Sequence, residues 1–259
     1  MSSSDVSVAL VHGAWADGSS WAKVIEPLAN DGVRVTAAPL PLTTFGDDVV
    51  ALDRSLERVT GPVILVGHAY AGAVIAATRS EKVKALVYVA ALAPDEGETV
   101  ADVFYRGKPH PQAPKLAPDA HGLIYLPETA FAAAFAQNAT KGELAVLAAV
   151  QQPISPACIT VKVERPLWKD RPTWFLVAEQ DRMIPHENQR FMAERMKARL
   201  WSHPVDHAPL VTAPGFVVDI IRAAIGQAVR ADRSRKKQAS LVTAPIGVIR
   251  VIAFTQQPH

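Results

Sequence analysis

A chain of 259 residues, 49% hydrophobic and 20% charged, has room for one large domain or two small ones and can bury a sizeable core. This composition excludes disorder over the bulk of the chain, and a single cysteine, Cys158, excludes a disulfide scaffold. The net charge of +2 is unevenly placed: residues 231–259 hold Arg233, Arg235, Lys236, Lys237 and Arg250 against Asp232 alone, which puts +4 there and leaves −2 on residues 1–230.

The β-branched run from Val6 to Val11 predicts a buried strand leading into His12-Gly13. Ser19 or Ser20 is placed to cap a helix carrying Trp21, Val24, Ile25 and Leu28, which Asp31-Gly32 ends. Val33 to Ala37 reads as a second strand. Asp47 and Asp48 suit the start of a helix with Val49, Leu52, Leu56 and Val59 on its apolar positions. After Gly61-Pro62, Val63 to Gly67 is uniformly apolar and predicts a strand buried on both faces. An alanine-rich helix reaches Thr78, and Val83 to Ala90 is a fourth strand. This alternation predicts an α/β fold, a mostly parallel, doubly wound sheet.

Residues 94–165 interrupt the pattern with eight prolines, between which lie helix-like runs over 128–138 and 141–150. They read as an insertion between core segments 1–93 and 166–230. The alternation resumes with a strand at 173–177, a helix over 186–197, a short strand at 199–201 and a closing helix from Pro214 or Gly215 to Val229. Residues 231–259 read as a basic tail whose charges are solvated, in preference to a nucleic-acid or anionic-lipid contact. Within it, Leu241 to Phe254 is apolar but broken by Pro245, Gly247 and Arg250. It reads as an added edge strand, a partner-docking strand or appended sequence. No apolar run reaches the ~18 residues of a membrane span, and the first residues lack a secretory signal pattern. A soluble, cytoplasmic protein is expected.

The chemistry concentrates at Gly67-His68-Ala69-Tyr70-Ala71-Gly72. Small residues at 67, 69, 71 and 72 permit a sharp strand-to-helix turn, and the helix N-terminus behind it favours developing negative charge. Ala73-Val74 after the last glycine excludes a phosphate loop, and the glycine spacing excludes a dinucleotide fingerprint.

With Val11-His12-Gly13-Ala14-Trp15, the turn at 67–72, Glu179 to Pro185 and Asp206-His207 in that order, the chain resembles the α/β-hydrolase superfamily over roughly residues 6–230. Within it the likeness is to the plant methyl-esterase and hydroxynitrile-lyase group and its bacterial relatives. The resemblance implies a nucleophile position at Ala69, an acid at Asp181, a base at His207 and an oxyanion hole from the backbone N–H groups of Ala14 and Tyr70. It also implies that residues 94–165 cap the site and line a substrate pocket with Trp15, Phe104, Tyr125 and Phe131. The activity implied is a serine carboxylic-ester hydrolase acting on a small apolar or aromatic ester, with no cofactor and no metal. Expected partners are a small-molecule substrate and, as an option, a second copy in a homodimer, with neither nucleic acid nor membrane.

The departure is Ala69, where the family has serine. Alanine offers no nucleophilic atom, and losing the serine of such a triad costs ~10⁶ in turnover. A serine-to-alanine replacement made to trap a ligand is the favoured explanation, because the other machinery is present. A natural, ligand-binding pseudoenzyme is the other. A hydroxynitrile lyase fits less well, since plant members carry threonine at the Gly13 position and lysine at the Ala208 position. A cofactor-free dioxygenase using histidine and aspartate alone is a further alternative. His12 reads as a loop brace, His68 as a packing residue, Asp206 as support for the loop and Cys158 as a packed thiol. Asp95 is the acid position in some relatives.

Overall fold

Six parallel strands form one open sheet in the order β2-β1-β3-β4-β5-β6. The computed structural model describes residues 5–242, with the backbone alone at Arg233 and 235–242. The strands are β1 (Ser7–Val11), β2 (Arg34–Ala38), β3 (Val63–His68), β4 (Val83–Val89), β5 (Thr173–Ala178) and β6 (Arg199–His203). Every residue of β1, β3 and β5 is buried, as largely apolar strands require when helices cover both faces. The edge strands β2 and β6 carry exposed or half-buried positions instead.

Helices α1 (Ala22–Asn30) and α9 (Pro214–Val242) pack together on one side, with the short α8 (Pro209–Thr212) against both. Helices α2 (Phe45–Glu57) and α3 (Ala71–Ala77) pack together on the other, and α7 (His186–Arg195) lies on β5 and β6. The start of α1 is corrected: Asp17, not Ser19 or Ser20, caps the 3₁₀ turn Gly18–Trp21 that leads into it. Thr44 caps α2 and places Asp47 and Asp48 in its first turn.

The expected end of the closing helix at Val229 is also corrected. No glycine or proline stands between Gly226 and Pro245, and α9 runs to Val242. The basic run therefore lies on a helix and does not follow one. The expected apolar stretch at 241–254 falls almost wholly outside the described residues.

Residues 94–165 add no strand to the sheet. They hold α4 (Val100–Phe104), α5 (Glu128–Ala130) continuing as one π turn over Phe131–Phe135, and α6 (Lys141–Ala149). The helix expected over 128–138 stops at Phe135. Gln137 and Asn138 beyond it are drawn to the core loops, Gln137 Nε2 donating to the Gln180 carbonyl (2.7 Å) and the Asn138 amide to Asp206 Oδ2 (3.0 Å). Among the described residues no helix is long and apolar enough to cross a membrane.

Parallel register aligns the strand ends. Gly67 of β3 lies beside Val11 of β1 and Tyr88 of β4, and Ala178 of β5 beside His203 of β6. The loops that follow β1, β3, β5 and β6 thus meet at one edge, where open α/β sheets place their ligands.

Candidate active site

The turn after β3 is sharp because one residue is left-handed. Ala69 has φ +51°, a conformation that costs a non-glycine residue about 1–3 kcal/mol and persists only when its surroundings fix it. Three backbone bonds do so: Ala69 N–H to Val89 O (3.2 Å), and Leu92 and Gly72 N–H to Ala69 O (2.9 and 3.1 Å). Glycines make the room. A Cβ on Gly72 would stand 2.4 Å from the Leu92 carbonyl oxygen, and one on Gly13 would stand 2.9 Å from Ala69 Cβ. Gly72→Ala is therefore expected to lower stability by about 1–3 kcal/mol, the usual cost of overpacking, read as a lower urea midpoint. An unchanged midpoint would show that the Leu92 backbone can yield.

Asp181 and His207 meet although they lie on loops after different strands. His207 Nδ1 donates to Asp181 Oδ2 at 2.8 Å, and both side chains are buried. The carboxylate is saturated. Oδ1 accepts from the Met183 and Ile184 amides (2.7 and 2.8 Å), and Oδ2 also accepts from Gln189 Nε2 (2.7 Å). Gln189 was not singled out in the sequence. Its one visible signal is its place in the first turns of the helix that follows the acid loop.

Two further histidines support this centre. His68 Nε2–H donates to the His207 carbonyl at 2.8 Å, which fixes its tautomer because a carbonyl only accepts. Its ring lies 4.9 Å from that of His207. The Leu40 amide donates to His12 Nε2 (3.0 Å), so His12 Nδ1–H donates to Gly13 O (2.9 Å) and braces the glycine loop. Phe135 packs its ring 5.1 Å from His207.

Burial, with His207 nearby, lowers the His68 imidazole from the usual 6.5 to about 3. An unfolded histidine binds its proton near pH 6.5, so between there and pH 3 the unfolded state binds more protons and stability is lost as pH falls. Buried His12 is lowered too and acts in the same direction. Burial raises Asp48 and Asp206 above 3.8, which works the opposite way. The urea midpoint of His68→Leu is therefore expected to fall less between pH 7 and pH 4 than that of the unsubstituted chain. Parallel pH profiles would exclude His68 as the source.

Ala69 and His207 open onto a narrow apolar cavity of about 60 Å³. Ala14, Trp15, Tyr70 and Phe104 line it, together with Leu116, Ile124, Ile154 and Met183. Two expected lining residues lie elsewhere. Tyr125 is 48% exposed, and Phe131 is buried against Phe135, one layer behind the cavity. Strand alternation explains the first: Ile124 and Ile154 bridge, so Ile124 faces in and its neighbour faces out. Trp15 joins the two parts of the chain, its amide donating to Gln152 O (3.0 Å) and its indole to Ile124 O (2.9 Å). The Ala14 and Tyr70 amides, by contrast, donate to no acceptor among the described residues.

The remaining polar candidates have structural partners. Asp206 accepts from Ala208 N, Thr212 Oγ1 and Asn138 N, which ties its loop. Asp95 pairs with Lys169 at 2.5 Å. His203 stacks on Phe216 at 4.0 Å. The Tyr70 hydroxyl donates to Asp48 Oδ2 (2.7 Å), and burial beside this pair pushes the Cys158 thiol up to about 12, an unreactive state. Among the described residues no group of three or more His, Cys, Asp or Glu is placed to hold a metal ion.

A parallel sheet with a left-handed residue at the β3–α3 turn, and an Asp–His pair on the loops after β5 and β6, is the arrangement of a hydrolase. Residues 8–220 match the model of the Alpha/beta hydrolase family, and the chain belongs to that family. No curated protein matches it. Among solved structures it is similar to a pyrethroid hydrolase from Sphingobium faniae JZ-2 (22% identity, 85% of this chain and 98% of that one, TM-score 0.72). It is also similar to a methylesterase from Arabidopsis (16%, 85% and 99%, TM-score 0.70) and to a tomato methylketone synthase I variant complexed with beta-ketoheptanoate (18%, 86% and 99%, TM-score 0.73). At these identities the likeness is one of fold.

Proposed function

We propose that the site is that of a serine carboxylic-ester hydrolase whose nucleophile position is held by Ala69, so that this chain binds its ester and scarcely turns it over. One observation carries the reading. Ala69 sits on a left-handed elbow at the same cavity as His207, whose Nδ1 is already engaged by Asp181. His207 has only Nε2 left for a proton at position 69. In this reading a serine at 69 attacks the ester carbonyl while His207 takes its proton. Asp181 fixes the tautomer and stabilises the imidazolium, and the Ala14 and Tyr70 amides hold the oxyanion. Their freedom from other acceptors suits that role. His207 then returns the proton to the leaving alcohol, and water repeats the sequence on the acyl group.

Residues 94–165 serve as a cap over the core segments 1–93 and 166–230. The apolar lining suits a small apolar or aromatic ester, with Trp15 and Phe104 as contacts. The test is labelling by a fluorophosphonate. Ala69→Ser is expected to gain one phosphonyl group at residue 69 by peptide mass, and the unsubstituted chain none. Absence of label on Ala69→Ser would remove the serine reading.

The alanine itself favours a second reading, proton transfer without a nucleophile. A β-oxo acid losing carbon dioxide leaves an enolate, which the two amides would stabilise and His207 would protonate at carbon. The tomato neighbour, complexed with beta-ketoheptanoate, shows this fold holding such an acid. Release of carbon dioxide and a methyl ketone by the unsubstituted chain is the outcome that would establish it.

A further inference from the structure

We propose that Gln189 is a positioning residue for the Asp181–His207 pair, an inference that rests on the hydrolase reading above. Its amide is fully buried and every polar atom on it is used. Nε2 donates to Asp181 Oδ2 (2.7 Å) and to the Ile184 carbonyl (2.8 Å), while Oε1 accepts from the Ala178 amide (3.0 Å). The orientation of this amide is unambiguous. A carboxylate and a carbonyl can only accept, and an N–H can only donate, so exchanging the nitrogen and oxygen would break all three bonds.

The geometry gives Gln189 a task that the loop alone does not perform. The Met183 and Ile184 amides hold only Oδ1. A carboxylate held by one oxygen can still turn about its Cβ–Cγ bond and carry the other oxygen away from His207. Gln189 takes hold of Oδ2, the oxygen that accepts the His207 Nδ1–H hydrogen bond. It also spans the end of β5, the acid loop and the start of α7, so it ties the acid to two rigid elements. The carboxylate plane, and through it the imidazole facing position 69, is set from behind. Hydrogen bonds to a charged partner of this kind are the strong ones.

The test has two arms. In the unsubstituted chain, which needs no turnover, the His207 Nδ1 proton is expected as a resolved NMR resonance downfield of the amides. In Gln189→Met, a near-isosteric change that removes the donor, this resonance is expected to move upfield or to exchange away. In the Ala69→Ser background, Gln189→Met is expected to lower kcat by about 10- to 100-fold with KM nearly unchanged. The same change is expected to cost almost nothing once Asp181→Asn is present, because its effect passes through the carboxylate. If Gln189→Met does not fold, Gln189→Leu, which likewise removes the donor to Asp181 Oδ2, takes its place. An unmoved resonance, or an equal loss of kcat with and without Asp181→Asn, overturns the proposal. A moved resonance in a chain whose Ala69→Ser variant stays inactive would retain the positioning role and overturn the hydrolase reading alone.

Discussion

Ala69→Ser is expected to raise hydrolysis of a short aryl ester by at least several hundred-fold over the unsubstituted chain. The ceiling is set by the cost of losing the serine in a comparable triad, ~10⁶ in turnover or about 8 kcal/mol of barrier. The local structure allows most of that range. The added oxygen grows from a Cβ that already stands at the cavity, on a residue whose left-handed backbone is held by three hydrogen bonds. The glycine facing that Cβ, Gly13, leaves space that any larger residue would close. The base is already oriented by its acid, since the bond between His207 and Asp181 is formed without the hydroxyl. The measurement is initial rate against ester concentration. A gain of less than several hundred-fold, in a variant with an unchanged melting transition, would mean that the elbow does not present a nucleophile to His207.

Much of this site was legible because it depends on short-range chemistry at strand ends. Val63 to Gly67 is apolar at every position, which signals a strand covered on both faces, and the small residues after it permit only a tight turn. Asp181 follows the apolar run of β5 and His207 the short strand that begins at Arg199, and the parallel pairing of Ala178 with His203 brings the two loops together. The cavity wall was less legible. Phe131 and Phe135 are both aromatic and four residues apart, and only the π turn decides that Phe135 meets His207 while Phe131 stands behind it. Tyr125 follows an inward-facing Ile124, a register set by pairing with Ile154 thirty residues later. Gln189 is a polar residue in a polar stretch, and nothing local separates it from Asn188 or Arg190. Its burial comes from the tertiary placement of α7 against β5.

His207→Ala in the Ala69→Ser background is expected to return hydrolysis to the level of the unsubstituted chain, a loss as large as the gain. The same change in the unsubstituted chain is expected to alter ester hydrolysis very little. Groups that act as a unit are non-additive: without a hydroxyl to deprotonate, the base has nothing to contribute to the acyl-transfer route. Asp181→Asn in the Ala69→Ser background is expected to cost about 10⁴, because an amide beside His207 Nδ1 favours the wrong tautomer while leaving the fold in place. The cycle separates the readings as well as the residues. If His207→Ala removes a measurable activity from the unsubstituted chain toward a β-oxo acid, the Asp181–His207 pair works by moving a proton on its own. In that case Ala69 is the residue the chemistry requires, and serine at that position would bring a competing reaction.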